Sequence, residues 1–143
     1  MRNFLVLFFA VFAFTLTAQS GVHDGIFEVK HEVSNGDYHE YRITLNPDGT
    51  FIFHSHSEIA MGIPPKNDTY GKGTWRAEKN TIIFTSDKIK DLDEIHSLDF
   101  NGTKARYDTK SPRDKSDRII RTKLKFYQSD ISWVRGKELF KTE

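Results

Sequence analysis

The chain contains no cysteine. That one absence excludes disulfides, thiolate zinc sites, cysteine nucleophiles and the lipid-modified cysteine of a lipoprotein. No surplus of charge is present either: 21 Lys+Arg face 20 Asp+Glu, for a net charge of +1. A nucleic-acid binder shows a basic patch or stripe, so this balance argues against one. Apolar runs of membrane length are missing as well. The N-terminal run, residues 4–16 (FLVLFFAVFAFTL), has 13 residues, and a spanning helix needs about 20. Catalytic signatures are also lacking: no Gly-x-Ser-x-Gly, no His-Glu-x-x-His, no phosphate-cradling glycine loop and no dinucleotide fingerprint occurs. The chain reads as a non-enzyme with no cofactor.

What is present starts with a targeting segment. Arg2 is a short basic region, the apolar run follows, and Thr17-Ala18-Gln19-Ser20 supplies small and polar residues. This is the layout of a secretory signal peptide over residues 1–20. Cleavage after Ser20 puts Ala18 and Ser20 at the small-residue positions; cleavage after Ala18 is the alternative. The expected destination is secreted or periplasmic, without stable membrane insertion after cleavage. Residues 21–143 are then a single domain, long enough to bury a core without staples.

That domain is poor in Leu (5) and Ala (3) and rich in Ile (12) and Thr (10). Branching at Cβ suits a pleated sheet better than a helix. Period-two alternation recurs. Tyr41, Ile43 and Leu45 alternate with polar residues, Asn46-Pro47-Asp48-Gly49 supplies a turn, and Phe51 and Phe53 share a face on residues 50–57. A second hairpin joins residues 73–77 to residues 81–85. Further strands are expected at residues 26–33, 96–100, 104–109, 119–127, 131–135 and 138–141. Residues 58–72, with Pro64-Pro65, and residues 109–118 read as long loops. Residues 86–94 read as polar, with room for a short helical turn. About eight strands in sequence predict an all-β antiparallel meander, closed into a small barrel that leaves no exposed edges.

The run Asn46-Pro47-Asp48-Gly49-Thr50-Phe51, then Gly71-Lys72-Gly73-Thr74-Trp75, then Thr81-Ile82-Ile83-Phe84 resembles the lipocalin-like small barrels of Gram-negative envelopes. The N-terminal barrel of the copper-resistance lipoproteins is the best-known member. The likeness covers residues 38–86 and consists of turn and core positions. It implies a barrel with a ligand cavity. Those lipoproteins carry an acylated N-terminal Cys and a Cys-x-x-Cys pair, so neither the anchor nor thiol copper chemistry carries over to this chain.

The candidate sites follow from these patterns. Phe51, Phe53, Trp75 and Trp133 are candidates to line a cavity for a small apolar ligand. His54, His56 and Glu58 project from one face of a strand. Two imidazoles and a carboxylate suit zinc or copper, with His31 or His96 as a possible further ligand. Because Phe51 and Phe53 take the other face, the histidines are expected to face solvent. Cleavage after Ser20 would expose Gly21-Val22-His23, whose amine, two amides and imidazole suit square-planar Cu(II) or Ni(II). Residues 109–118, with Arg113, Asp114, Asp117 and Arg118, are either a lid or a self-paired solvated loop. The leading expectation is a binding module for a small apolar ligand. The alternatives are a filled barrel acting on an envelope protein partner and a metal binder through His23 or His54/His56.

Overall fold

The computed structural model describes residues 22–142. The signal peptide read at residues 1–20, and Gly21, lie outside the described residues. The eight strands are β1 (Gly25–Glu32), β2 (Tyr38–Leu45), β3 (Thr50–Glu58), β4 (Lys66–Glu78), β5 (Thr81–Thr85), β6 (Lys104–Asp108), β7 (Lys123–Gln128) and β8 (Glu138–Lys141). Each pairs antiparallel with the next, and β8 returns to β1, so the meander closes into a barrel. Among the described residues there is no helix, and so none long and apolar enough to cross a membrane.

Turn chemistry sets the register. Between β2 and β3, Gly49 takes a φ of 87°, a conformation that a side chain disfavours. The Asp48 carboxylate accepts from the Thr50 amide at 2.9 Å and the Thr50 hydroxyl at 2.6 Å. The turn is pinned to β4, where the Trp75 amide donates to Gly49 O and the Trp75 indole donates to Asn46 O.

Register then aligns residues in rows across β1 to β4. One inward row is Phe27–Ile43–Phe53–Gly71; the next two are Val29–Tyr41–Ser55–Thr69 and His31–His39–Ser57–Asn67. The intervening outward rows are Glu28–Arg42–His54–Tyr70 and Lys30–Glu40–His56–Asp68. Only the first inward row is fully buried. β1 pairs with β8 through Phe27 and Glu28 alone, so beyond that level β1 to β4 rise as a curved four-stranded apron around one mouth of the barrel.

β4 is the longest strand because it serves two partners. Lys66 to Thr74 pair with β3, and Thr74 to Glu78 pair with β5. Its upper half has no strand partner on that side, and residues 96–100 cover it at Tyr70 and Gly71. The Leu98 amide donates to Tyr70 O, and Leu98 bridges Gly71 in parallel. Phe100 then turns into the barrel and is fully buried. Ser86 holds that entry, accepting from the Phe100 amide at 3.1 Å and donating to Lys72 O at 2.9 Å.

Four expectations change here. The loop expected over residues 58–72 shrinks to 59–65. β4 begins right after Pro64-Pro65, and its first residues are polar because neither face there reaches the core. Residues 96–100 are a bridge and a plug, not a strand. Residues 131–135 are successive turns: the Val134 amide donates to Ile131 O and the Lys137 amide to Val134 O. The three-residue spacing buries Val134 and leaves Trp133 39% exposed. The strand expected at 119–127 starts at Lys123, because β6 ends at Asp108 and gives Ile119 and Ile120 nothing to pair with. In residues 86–94 a single helical turn forms where one had room: the Asp91 amide donates to Asp87 O, four residues back. The Asp87 carboxylate accepts from the Ile89 and Lys90 amides.

Candidate functional site

His54 and His56 lie on the outward face of β3, as their alternation with Phe51 and Phe53 required. The antiparallel register sets Asp68 of β4 directly opposite His56. The Asp68 Oδ1 atom lies 2.7 Å from His54 Nε2 and 2.7 Å from His56 Nδ1. The other nitrogen of His56, Nε2, lies 3.1 Å from Glu58 Oε1, and Lys66 reaches the same oxygen at 3.4 Å. One donor atom from each of His54, His56 and Asp68 falls within 4.8 Å of the others. Tyr70, beside His54 in its row, stacks on that imidazole at 4.5 Å with the planes 6° apart. The stacking fixes the ring's orientation.

Proton bookkeeping explains the electrostatics. An ionised carboxylate only accepts, so each ring nitrogen facing Asp68 carries its hydrogen there. His56 donates from both nitrogens, to Asp68 and to Glu58, and that is the imidazolium form. The two hydrogen bonds accordingly raise the His56 pKa above its ordinary value, Asp68 contributing more than Glu58. Asp68 is held below the usual carboxylate range by hydrogen bonds from His54 and His56, and Glu58 by His56 and Lys66. In the outward rows alongside, Arg42 bridges Glu28 and Glu40, and the Tyr38 hydroxyl donates to Glu40 at 2.8 Å.

The other expected ligands are elsewhere. His31 projects inward at the mouth, in register with His39. His96 sits beside Tyr70 and accompanies Asp93, whose carboxylate is lowered to about 2, chiefly by the His96 backbone amide. That carboxylate caps a turn. His23, just before β1, packs edge-on against Tyr107 at 4.7 Å, while the Tyr107 hydroxyl donates to Val22 O. Gly21, with the amine that the terminal metal motif requires, is outside the described residues. Asp68 was missed by the sequence reading, because it fell in the stretch taken for a loop. Partner numbers along the β3–β4 ladder have a constant sum, so extending the pairing of Phe51 with Gly73 would have found it.

The four aromatic candidates do not share one wall. Phe51, Phe53 and Trp75 are buried. Phe51 meets Phe84 at 5.0 Å and Phe100 at 5.3 Å, and Phe53 meets Phe100 at 4.9 Å. The rings occupy one another's faces, and the Phe100 plug fills the space between the walls. Trp75 packs at the β2–β3 turn, whereas Trp133 lies toward the mouth, near Tyr41 at 5.9 Å and Phe53 at 6.1 Å. The segment 109–118, in the β6–β7 connection, is at the end of the barrel away from that mouth. Asp114 pairs with Arg118 at 2.9 Å, and Lys110 donates to Ser116 O, the self-paired arrangement rather than a lid.

The chain matches no family model, and no curated protein or solved structure is significantly similar to it.

Proposed function

We propose that the protein is a non-enzymatic secreted or periplasmic barrel that binds a divalent transition-metal ion on its outer face through His54, His56 and Asp68. The convergence of those three side chains from two adjacent strands carries this reading. Two imidazoles and a carboxylate match the ligand preferences of Zn²⁺ and also suit Cu²⁺ and Ni²⁺. The ion replaces the two hydrogens that now point at Asp68 Oδ1, and water completes its shell on the solvent side. A charged His56 must lose one proton to become a ligand. Glu58 remains beside it to orient the ring.

Zinc titration by calorimetry gives one strong site in the wild type. Affinity falls more than about 100-fold in the His54→Ala/His56→Ala variant, since loss of even outer partners costs 10–100-fold. Asp68→Asn falls in the same direction. Equal affinity in wild type and double variant would remove the proposal. The same titration has a definite pH sign. The folded pKa of His56 is raised, so below it the proton competes and its ion pairs with Asp68 and Glu58 are kept. Above it those ion pairs are lost and the metal gains the ligand. Lowering the pH from about 7.5 to about 5.5 therefore weakens zinc binding, and uptake near neutrality releases close to one proton, read from the dependence of heat on buffer. A pH-independent affinity over that range counts against His56 as a ligand.

A second reading, a filled barrel acting on an envelope protein partner, is favoured by the interlocked rings of Phe51, Phe53, Phe84 and Phe100. The apolar-ligand reading has weaker support, because its four residues are divided between the core and the mouth.

A further inference from the structure

The two upper inward rows of the apron, Val29–Tyr41–Ser55–Thr69 and His31–His39–Ser57–Asn67, are unlike the row beneath them. The lower row is buried, whereas every residue of these two is half-exposed or exposed. Among the described residues, the side chains of His31, His39, Ser55, Ser57, Asn67 and Thr69 make no hydrogen bond. No carboxylate stands among them. At the base of this concave face Tyr41 and Trp133 lie 5.9 Å apart with ring planes 37° from each other, and Lys137 Nζ sits 4.0 Å from the Tyr41 centroid.

We infer that this mouth is a binding site for a neutral polyhydroxylated chain, a saccharide. Hydroxyls, a carboxamide and imidazoles each offer both a donor and an acceptor, which is what adjacent sugar hydroxyls require. The C–H face of a sugar ring is apolar and packs on an exposed aromatic face, here that of Trp133, which brings large area at low entropic cost. Absence of carboxylates removes the means of fixing a cationic ligand, and Lys137 is held against Tyr41. The apron places these groups on strands fixed by full ladders, so the face is preorganised. The site is on the opposite side of the sheet from His54 and His56 and does not depend on the metal reading.

The test uses maltohexaose, cellohexaose and chitohexaose, each titrated up to about 10 mM into the full folded chain. Calorimetry is read together with tryptophan fluorescence. At least one sugar binds with a Kd of roughly 0.1–1 mM and shifts the emission. Trp133→Ala weakens that sugar more than about tenfold. Because Trp133→Ala can loosen the turn it sits in, Ser57→Ala/Asn67→Ala is the second variant, and it weakens binding in the same direction with an unchanged thermal midpoint. The His54→Ala/His56→Ala variant binds the sugar as the wild type does. No heat and no emission change with all three sugars overturns the inference. So does wild-type affinity in both mouth variants. A neutral Gly/Ser-rich hexapeptide that binds in a Trp133-dependent way while the sugars do not overturns it in favour of a peptide site.

Discussion

Gly73→Ala abolishes the folded barrel or leaves it barely stable. A Cβ at this position would lie 2.1 Å from the carbonyl oxygen of Thr85 and 3.0 Å from a ring carbon of Phe51. The first is a backbone atom of the neighbouring strand, and it cannot rotate away. Retreat would pull β4 from β5 at Thr74–Thr85, the first pair of that ladder. Overpacking by an added methylene costs about 1–3 kcal/mol where side chains can give. Here the contact is with backbone, so a loss of about 4 kcal/mol or more is expected, against a total stability of about 5–15 kcal/mol for a domain. Gly102→Ala is the control. Nothing lies within 4 Å of its added Cβ, and only its φ of 76° opposes the change, at about 1–2 kcal/mol. Thermal melts followed by circular dichroism separate the two. A Gly73→Ala midpoint within a few degrees of wild type would mean that β4 and β5 do not approach as described.

Phe100→Ala has the next largest effect. The ring is fully buried against Phe51, Phe53 and Phe84, whereas Leu98 of the same segment is only partly buried against the core. Truncating a buried phenylalanine costs about 3–5 kcal/mol, through lost transfer energy and the cavity left behind. The thermal midpoint then falls by roughly 10–20 °C for a domain of this size. Phe100→Leu keeps most of the volume and loses under about 1.5 kcal/mol. Loss of the plug also loosens the bridge to β4, so exchange of the Leu98 amide, which donates to Tyr70 O, should rise in the alanine variant. Chemical denaturation that finds Phe100→Ala as stable as Phe100→Leu would refute the plug.

The sequence carried the barrel where one face is buried and turns are chemically marked. Phe51 and Phe53 alternate against Ile43 and Leu45 across an Asn-Pro-Asp-Gly turn, and both signals agree. Legibility failed where alternation lost its contrast. At Lys66 to Thr69 both faces of β4 are wet, so the strand has the composition of a loop. At residues 131–135 the apolar residues suit both period two and a run of turns, and only burial of Val134 decides between them. The candidate site was half legible for the same reason. His54 and His56 stand on a well-marked strand, whereas Asp68 stands on the strand whose polarity concealed it. The inward mouth rows were not legible at all, since they become a site only through how far β1 to β4 extend past β8.

The β1–β8 seam bears on how the barrel assembles. Every other ladder joins neighbours in the chain, across connections as short as the two residues 79–80 between β4 and β5. The seam joins Phe27 to Lys141 and Glu28 to Phe140, over a hundred positions apart, with the Thr142 amide donating to Ile26 O beside them. For a bare chain, closing a loop of that length instead of the β2–β3 turn costs about 2–3 kcal/mol more in entropy. The meander therefore forms hairpin by hairpin, and its circular closure comes last. Until then, both outer strands of the unclosed sheet expose unpaired amides and carbonyls, and the nascent chain is most prone to pair with another copy of itself.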